Sequence, residues 1–218
     1  MEPLRWQLAG HIQIAMSLAG HGDLRLATAR TAWCRLYGIP EPAVIQQVHG
    51  SVIHAVTGTG SSGDGLVSSG TACAVFGSDC PPLAIATRDA LGVAHCGWRG
   101  TAAGIVPTLV ERLRALSTDP PTAWQALIGP GVHPDDFEVD APVLQARTWP
   151  RQAVLPGRPG RVWLDLPAAI ASDCAACGIG MVARTRITTS RDPRLRSHRR
   201  DGPGFPQMLV AWRGTCVG

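Results

Sequence analysis

The sequence of 218 residues contains no lysine and no asparagine, so all 20 of its basic side chains are arginines. Without lysine the chain cannot form a Schiff base, and it cannot supply the lysine of a P-loop or of a protein kinase. Without asparagine it cannot build the Cys-His-Asn set of papain-like proteases. These two absences exclude several large enzyme classes before any motif is considered.

Long hydrophobic segments are absent as well. No apolar run reaches the ~18–20 residues of a transmembrane helix, and residues 1–10 lack the apolar stretch of a secretory signal peptide. We therefore expect no membrane association. Hydrophobic residues make up 45% of the chain and charged residues 17%, which is typical of a globular protein. The length favours a single domain over residues 1–218.

The cysteines indicate a reducing compartment, because their number, seven, is odd and their spacing does not resemble a secreted disulfide framework. We therefore expect a cytoplasmic protein. Cys174 and Cys177 form a CxxC pair, but no second ligand pair lies nearby at the spacing of a structural zinc site. The apolar pattern that ends at Gly178 instead predicts two small core residues on a helix.

The arginines are concentrated in one segment, residues 184–200, although the net charge is only +4. One interpretation of this segment is a solvated loop with paired charges. A second interpretation is an anion-binding surface for phosphate or a phosphorylated partner. Nucleic acid is the least favoured partner, because no aromatic residues are interleaved for base stacking.

Short apolar segments bounded by turn residues predict buried strands. These segments are 12–18, 43–48, 52–56, 72–77, 83–87, 91–96, 124–128, 179–187 and 208–212. Apolar residues at helical spacing predict three helices that begin at Asp23, Thr101 and Asp165. The glycine- and serine-rich segment 58–65 predicts a flexible loop. Strands outnumber helices and do not alternate with them, which predicts an α+β fold with a mixed sheet or two sheets.

Reactive side chains follow three of the predicted strands, in the segments QVHG (47–50), SDCPP (78–82) and AHCGWRG (94–100). A rigid sheet can hold such residues beside a cleft. His49, Cys80 and His95 would fill three positions of a tetrahedral zinc site and leave one open, as catalytic zinc sites do. The residues also allow a Cys-His dyad, in which His95 or His49 takes the Cys80 proton, or three structural residues. Multicopper oxidases use many histidines, commonly in His-x-His pairs, and this chain has no such pair.

Seven motifs occur in one order along the chain: QVHG, GDGLV, DCPP, HCGWRG, IGPGV, LDL and SHRRDG. Together they resemble the YfiH family of laccase-domain proteins, once called multicopper polyphenol oxidases and later recognised as purine nucleoside phosphorylases. The resemblance runs from about Gly22 to Trp212. It implies an α+β fold with a mixed β-sandwich core flanked by helices, similar to the Cys-His toxin deamidases.

The resemblance also implies a function. His49, Cys80 and His95 are expected to meet at one catalytic site that binds zinc, or alternatively copper. The implied reaction is cleavage of purine nucleosides by phosphate as co-substrate, with adenosine, inosine, guanosine and methylthioadenosine as substrates. Hydrolytic deamination of adenosine is implied as well. The alternative is a divergent member that acts on another small substrate, as a polyphenol oxidase or a Cys-His hydrolase, or that has no turnover.

The chain departs from the family pattern near its N-terminus. Family members usually carry a segment like TRxGGVSxxPYxSLN, which supplies an arginine and an asparagine to the site, whereas residues 14–22 (IAMSLAGHG) supply neither. We therefore predict a weaker or narrower phosphorylase than a member with the full motif. Arg199 and Arg200 are expected to reach inward and bind phosphate in compensation. Asp79 and Arg99 complete the predicted substrate-binding set, with Arg99 also bridging loops at the rim.

Overall fold

The computed structural model describes residues 1–9, 11–56 and 62–214. Its strands are β1 (Leu4–Leu8), β2 (Ile12–Met16), β3 (Ile53–Ala55), β4 (Gly65–Ser68), β5 (Cys73–Gly77), β6 (Pro82–Ala86), β7 (Leu91–His95), β8 (Gln125–Ile128), β9 (Glu138–Val139), β10 (Val154–Pro156), β11 (Val162–Leu164), β12 (Met181–Arg184) and β13 (Gln207–Arg213). Its helices are α1 (Ala27–Tyr37), α2 (Trp98–Ala102), α3 (Ile105–Arg114), α4 (Ala141–Leu144), α5 (Leu166–Ala176) and α6 (His198–Asp201). None of these helices is long and apolar enough to cross a membrane.

Two sheets pack face to face. The first has the order β1-β2-β13-β5 and is antiparallel. The second has the order β12-β8-β6-β7-β4-β3 and is mixed, because β12 runs parallel to β8 and β3 parallel to β4. Ile14, Val75 and Leu209 of the first sheet share a buried cluster with Leu66 and Val93 of the second. Strands β10, β11 and β9 form a small, separate antiparallel sheet, and none of them pairs with a strand of the sandwich.

Helices flank the sandwich on both sides. Trp33 of α1 packs with Val210 of β13 in one buried cluster, and Leu109 of α3 packs with Ile85 of β6 in another. Strands β4 to β7 are buried along their whole length. This double covering explains why these strands are continuous apolar runs instead of alternating polar and apolar residues. The predicted α+β class with a mixed, helix-flanked β-sandwich is confirmed.

The helix starts differ in part from the prediction. Asp165 caps α5 as predicted, because its side chain accepts a hydrogen bond from the Ala168 backbone N–H at 2.8 Å. Asp23 does not cap α1, which has Leu26 at its N-cap. The Asp23 carboxylate instead accepts from the backbone N–H and the guanidinium of Arg25, at 3.1 and 2.8 Å. The short-range ion pair therefore replaces the predicted cap.

The helix predicted to begin at Thr101 is divided in two. Thr101 lies within α2, and Gly104 separates α2 from α3 with a φ of +82°. This left-handed conformation suits glycine and ends a right-handed helix. The stripe expected on one long helix is therefore carried mainly by α3.

Two strand predictions were also wrong. Segment 43–48 forms only isolated bridges at Ala43 and Gln46. Its Gln47 side chain instead accepts from the Phe76 N–H at 2.6 Å and donates to the Phe76 carbonyl at 2.8 Å, which occupies the strand edge. Strand 179–187 is shorter than predicted, since β12 ends at Arg184. Strand β1, which pairs with β2, lies outside every predicted segment.

The CxxC pair lies at the end of α5, as predicted. Cys174 is fully buried in the core cluster between α3, α5 and the second sheet, and the partly buried Cys177 packs against the same cluster. Gly178 follows with a φ of +82°. The six cysteines in the described residues are free thiols, so the pair is a packing element and not a disulfide.

Candidate functional site

A cleft of about 850 Å³ opens at the end of the sandwich where β5 and β7 end and β6 begins. Many of its lining residues are apolar: Val44, Ile45, Phe76, Trp98, Val132, Phe137, Leu166 and Pro206. The others include polar and ionisable residues: Arg25, Gln46, Gln47, His49, Ser78, Asp79, Cys80, His95, His198 and Arg199. An apolar cleft with a few convergent polar groups is the usual form of a small-molecule site.

The adjacent ends of β6 and β7 and the loop before β3 bring His49, Cys80 and His95 together in this cleft. His95 ends β7 and pairs in register with Pro82, which begins β6 just after Cys80. His49 lies in the loop before β3. One ligand atom from each residue lies within 4.8 Å of the others, and the two imidazole rings meet edge to face at 4.8 Å between centroids. The predicted convergence is confirmed, and we call these three residues the trio.

Glycine permits the close packing around the trio. A Cβ atom at Gly97 would lie 2.9 Å from the Cys80 Sγ atom and 3.6 Å from His49 Nδ1. A Cβ atom at Gly77 would lie 2.6 Å from the Cys80 carbonyl oxygen. Both distances around Cys80 are shorter than side chains tolerate, so these glycines are required by close approach.

A carboxylate that the sequence analysis missed also contacts the trio. Asp64 is fully buried, and its Oδ1 atom accepts hydrogen bonds from His95 Nδ1 and from the His49 backbone N–H, both at 2.9 Å. Its Oδ2 atom accepts from the Gly50 N–H at 2.6 Å. Burial opposes ionisation of Asp64, but these hydrogen bonds hold the pKa of its carboxyl below the usual value.

The sequence did contain a signal for Asp64. An ionisable residue between two glycines, directly before an apolar strand, is a candidate for a buried polar contact. It fell inside segment 58–65, which was predicted to be a flexible loop. Residues 58–61 lie outside the described part of the chain, whereas Gly63, Asp64 and Gly65 are buried, so the loop prediction was wrong for this end of the segment.

The trio is electrostatically coupled. Burial raises the pKa of the Cys80 thiol, but hydrogen bonds and charge from His49 and His95 outweigh burial and lower this pKa to about 7. Burial lowers the pKa of His95, but hydrogen bonds with Asp64 and Cys80 raise it to about 9. Between these two values the favoured metal-free state is a Cys80 thiolate beside a His95 imidazolium.

The trio fits a zinc ion by its donor chemistry. Two imidazole nitrogens and one thiolate are ligands that zinc prefers, and three protein ligands leave a fourth position for the cleft. Asp64 accepts from Nδ1 of His95, which leaves Nε2 of that ring free to bind the metal. The same soft and borderline donors suit copper.

Two predicted substrate-binding residues, Asp79 and Arg199, line the cleft. Asp79 accepts hydrogen bonds from the Thr189 hydroxyl at 2.6 Å and from the Arg199 backbone N–H at 2.8 Å. The Arg199 guanidinium lies 5.0 Å from the Phe137 ring centroid and donates to the Glu138 carbonyl at 3.2 Å. Within the described residues this guanidinium has no carboxylate partner, so its charge is available to a ligand.

The other two predicted residues, Arg99 and Arg200, lie elsewhere. Arg99 is exposed, and its guanidinium stacks 4.2 Å from the ring centroid of Trp98. The Arg200 guanidinium pairs with Asp201 and donates to backbone carbonyls of its own loop, including that of Thr189 at 3.0 Å. The expectation that Arg200 reaches inward was wrong, because these carbonyls and the Asp201 carboxylate occupy its guanidinium donors.

The remainder of the arginine segment supports the interpretation as paired surface charge. Arg184 pairs with Asp165, Arg191 with Asp135 and Asp136, and Arg194 with Asp192. A different cation, Arg25, lines the cleft although it was not predicted as a site residue. Nothing in the local sequence distinguishes Arg25 from an ordinary surface arginine, because its place in the cleft depends on the packing of α1.

Comparison with known proteins gives a consistent picture. The chain is 32% identical over 189 residues to purine nucleoside phosphorylase YlmD of Geobacillus stearothermophilus, covering 76% of this chain and 69% of that protein. It is 33% identical over 180 residues to a purine nucleoside phosphorylase of Deinococcus radiodurans, covering 79% and 70%. The fold matches the crystal structure of Bacillus licheniformis YfiH with a TM-score of 0.88, at 22% identity and covering 98% and 97% of the two chains.

A second solved structure, the Neisseria meningitidis protein NMB0706, matches with a TM-score of 0.86 at 24% identity, covering 99% and 100% of the two chains. The family model described as multi-copper polyphenol oxidoreductase laccase matches residues 19–213, which include the whole trio and the cleft walls. The chain therefore belongs to this YfiH-type laccase-domain family.

Proposed function

We propose that the protein cleaves purine nucleosides with phosphate, at the cleft that contains the trio. The observation that carries the proposal is the convergence of His49, Cys80 and His95 in a cleft of about 850 Å³. This volume lies in the range of small-molecule sites, about 300–1,000 Å³. Relatives that are named purine nucleoside phosphorylase support the same reaction.

The apolar walls suit a nucleobase. Phe76, Trp98 and Phe137 line the cleft and offer flat surfaces to a purine ring. Stacking of one base on an aromatic side chain contributes about 1–3 kcal/mol and tolerates different bases. We infer that these residues bind the base of adenosine, inosine, guanosine or methylthioadenosine.

Phosphate needs a cation that is not already neutralised. Arg199 meets this condition in the described cleft, whereas Arg25, which also lines the cleft, is paired with Asp23. In phosphorolysis a phosphate oxygen bonds to C1′ of the ribose as the bond from C1′ to the purine nitrogen breaks. A guanidinium can hold two phosphate oxygens with charge-assisted hydrogen bonds, which orients the nucleophile.

The trio holds the metal in this proposal. When bound, zinc, or alternatively copper, supplies a Lewis acid that polarises an oxygen atom in the cleft. Asp64 orients the His95 ring, and Gly97 leaves room for the Cys80 sulfur. The same cleft is proposed to deaminate adenosine hydrolytically, in which water replaces the amino group at C6 and ammonia leaves.

A Cys-His hydrolase is the second candidate function. The lowered pKa of Cys80, about 7, and its contacts with two histidines favour it, because a thiolate beside an imidazolium is an activated nucleophile. Removal of metal separates the two functions. Dialysis against a chelator abolishes phosphorolysis if the trio acts as a metal site, and leaves a thiol-dependent hydrolysis intact if it acts as a dyad.

A nucleoside panel tests the proposal. Adenosine, inosine, guanosine and methylthioadenosine are incubated with the protein, with and without phosphate, and the bases are separated by chromatography. We expect release of free base that depends on phosphate, together with inosine or hypoxanthine from adenosine. Equal release without phosphate would identify a hydrolase, and no release from any substrate would reject the proposal.

A matched pair of arginines tests the phosphate site. Phosphate should raise the melting temperature of the wild type, because a ligand that binds only the folded state stabilises it. Arg199→Ala should remove this shift, whereas Arg194→Ala should retain it, since Arg194 is exposed and paired with Asp192. An equal loss in both variants would show that phosphate binds the protein by net charge and not in the cleft.

A further inference from the structure

One buried carboxylate contacts both histidines of the trio, one through its imidazole ring and the other through its backbone N–H. Asp64 contacts His95 through the imidazole ring, at 2.9 Å, and contacts the His49 loop through backbone N–H groups. The loop donates three such groups, from Val48 at 3.3 Å, His49 at 2.9 Å and Gly50 at 2.6 Å. Asp64 in turn is anchored, because its own carbonyl accepts from the His95 N–H at 2.7 Å.

The His49 loop depends on this acceptor for its shape. His49 has a φ of +60°, which a residue with a side chain adopts at an energetic cost. The three successive N–H groups converge on Asp64, so the turn is wrapped around its carboxylate. His49 itself is exposed, so packing does little to hold its side chain on the trio. The hydrogen bonds to Asp64 therefore replace packing as the means of placing this ligand.

We propose that Asp64 is the positioning residue that fixes His49 and His95 together on Cys80, and so sets the metal affinity of the trio. The inference rests on the proposed role of these three residues as metal ligands. Asp64 does not itself supply a ligand atom, since both of its oxygens already accept hydrogen bonds from the loop and from His95. Orientation of a ligating histidine by a carboxylate typically changes metal affinity 10- to 100-fold.

Asp64→Asn is the decisive substitution. An amide has the same shape but offers one oxygen acceptor and one NH₂ donor. In one orientation its NH₂ group replaces the oxygen that accepts from Val48 and Gly50, and the loop that carries His49 loses two hydrogen bonds. In the other orientation it replaces the oxygen that accepts from the His49 N–H and from His95 Nδ1, and both histidines lose their acceptor. The matched control is Asp119→Asn, because Asp119 is also buried and accepts from the Arg88 N–H and the Ser117 hydroxyl. Asp119 contacts the turn between β6 and β7, at the opposite end of these strands from the trio.

The experiment titrates the metal-free proteins with Co²⁺ and follows the sulfur-to-cobalt absorption band. We expect Asp64→Asn to weaken Co²⁺ binding about 10- to 100-fold, and Asp119→Asn to bind within about twofold of the wild type. Native circular dichroism of both variants checks that the fold is retained. Wild-type affinity in a folded Asp64→Asn protein would overturn the proposal, and so would an equal loss in the Asp119→Asn control.

A second measurement tests the positioning role of Asp64 in the metal-free protein. Cys80 is alkylated by iodoacetamide at pH 7, and mass spectrometry of its peptide gives the reaction rate. This rate depends on how closely the two histidines contact the sulfur and stabilise its thiolate. We expect at least a fivefold slower reaction in Asp64→Asn than in Asp119→Asn, and equal rates would contradict the proposal. Neither measurement uses a nucleoside, so absence of phosphorolysis in the wild type would reject the proposed activity while leaving this inference standing.

Discussion

The cleft and the end of α5 each place a cysteine among close neighbours, and the two thiols respond in opposite ways. Cys80 has its pKa lowered to about 7, whereas burial raises the pKa of Cys174 to about 12. Burial acts in the same direction on both. Cys80 differs because two imidazoles face its sulfur. Near Cys174 the carboxylate of Asp173, and the thiol of Cys177 once it ionises, raise the pKa of Cys174 further.

This contrast shows that spacing in the sequence does not mark the reactive thiol. Cys174 and Cys177 form the recognisable motif, yet they pack as small apolar side chains. Cys80 has no nearby partner in the sequence, and its histidines come from positions 49 and 95. Reactivity follows from the groups that the fold brings to the sulfur, because a thiolate needs a positive neighbour to offset its desolvation.

The sharpest test of the contrast is catalytic. Cys80→Ala should lower kcat/KM for nucleoside phosphorolysis about a thousandfold, which is within the range for loss of an essential acid–base or ligand group. Cys174→Ala should change kcat/KM less than threefold, because Cys174 lies in the core between α5 and the second sheet. Steady-state kinetics with inosine and phosphate measure both. Comparable losses in the two variants would break the distinction.

Thiol reactivity gives the next largest difference. In metal-free protein at pH 7 Cys80 should react with iodoacetamide more than a hundredfold faster than Cys174. With pKa values of about 7 and about 12, the thiolate fraction at pH 7 favours Cys80 by about 5 × 10⁴, and a Brønsted coefficient of about 0.5 removes roughly half of that advantage on a logarithmic scale. Because the thiolate forms as pH rises through its pKa, the Cys80 rate should increase with a midpoint near pH 7.

The control for this measurement is Cys177, which is partly buried and whose pKa is raised mainly by burial. Its rate should still be increasing above pH 8.5. A midpoint near pH 9 for Cys80, like that of an unperturbed thiol, would show that the histidines do not stabilise its charge.

Stability should separate the two cysteines of the CxxC pair, because only Cys174 is fully buried. Cys174→Ser places a hydroxyl in an apolar core, and an unsatisfied buried hydroxyl costs about 1–3 kcal/mol. Cys177→Ser should lower the free energy of unfolding by less than about 1 kcal/mol, because Cys177 is only partly buried. Urea denaturation followed by circular dichroism measures both. Equal, small effects would show that Cys174 is not a core residue.

Substitution of one glycine in each region, Gly97 in the cleft and Gly178 after α5, should have the smallest effects. Gly97→Ala places a Cβ 2.9 Å from the Cys80 sulfur, so it should weaken Co²⁺ binding about tenfold. Gly178→Ala has open space but a φ of +82°, so it should lower the free energy of unfolding by about 1 kcal/mol and leave Co²⁺ binding unchanged. A destabilised Gly97→Ala with wild-type Co²⁺ binding would contradict the assignment of Gly97 to the site.

The sequence by itself determined the fold class and the three residues of the trio. Strands β4 to β7 appeared as continuous apolar runs because they are covered on both faces, and a run of this kind can be recognised in the local sequence. Cys80 and His95 could be picked out for the same reason, since each lies next to a buried strand, whereas the segment before His49 forms no strand. The motif order then identified the family that the comparisons confirm.

Only the tertiary structure decided which polar groups support the trio and which arginines face the cleft. Asp64 is separated from His95 by 31 residues, so their hydrogen bond exists only once β4 and β7 are paired. Arg199 and Arg200 are neighbours in the sequence, yet one lines the cleft and the other is bound by carbonyls of its loop. Charge and residue type are the same for both, and their different roles arise from the contacts that the folded backbone offers to each side chain.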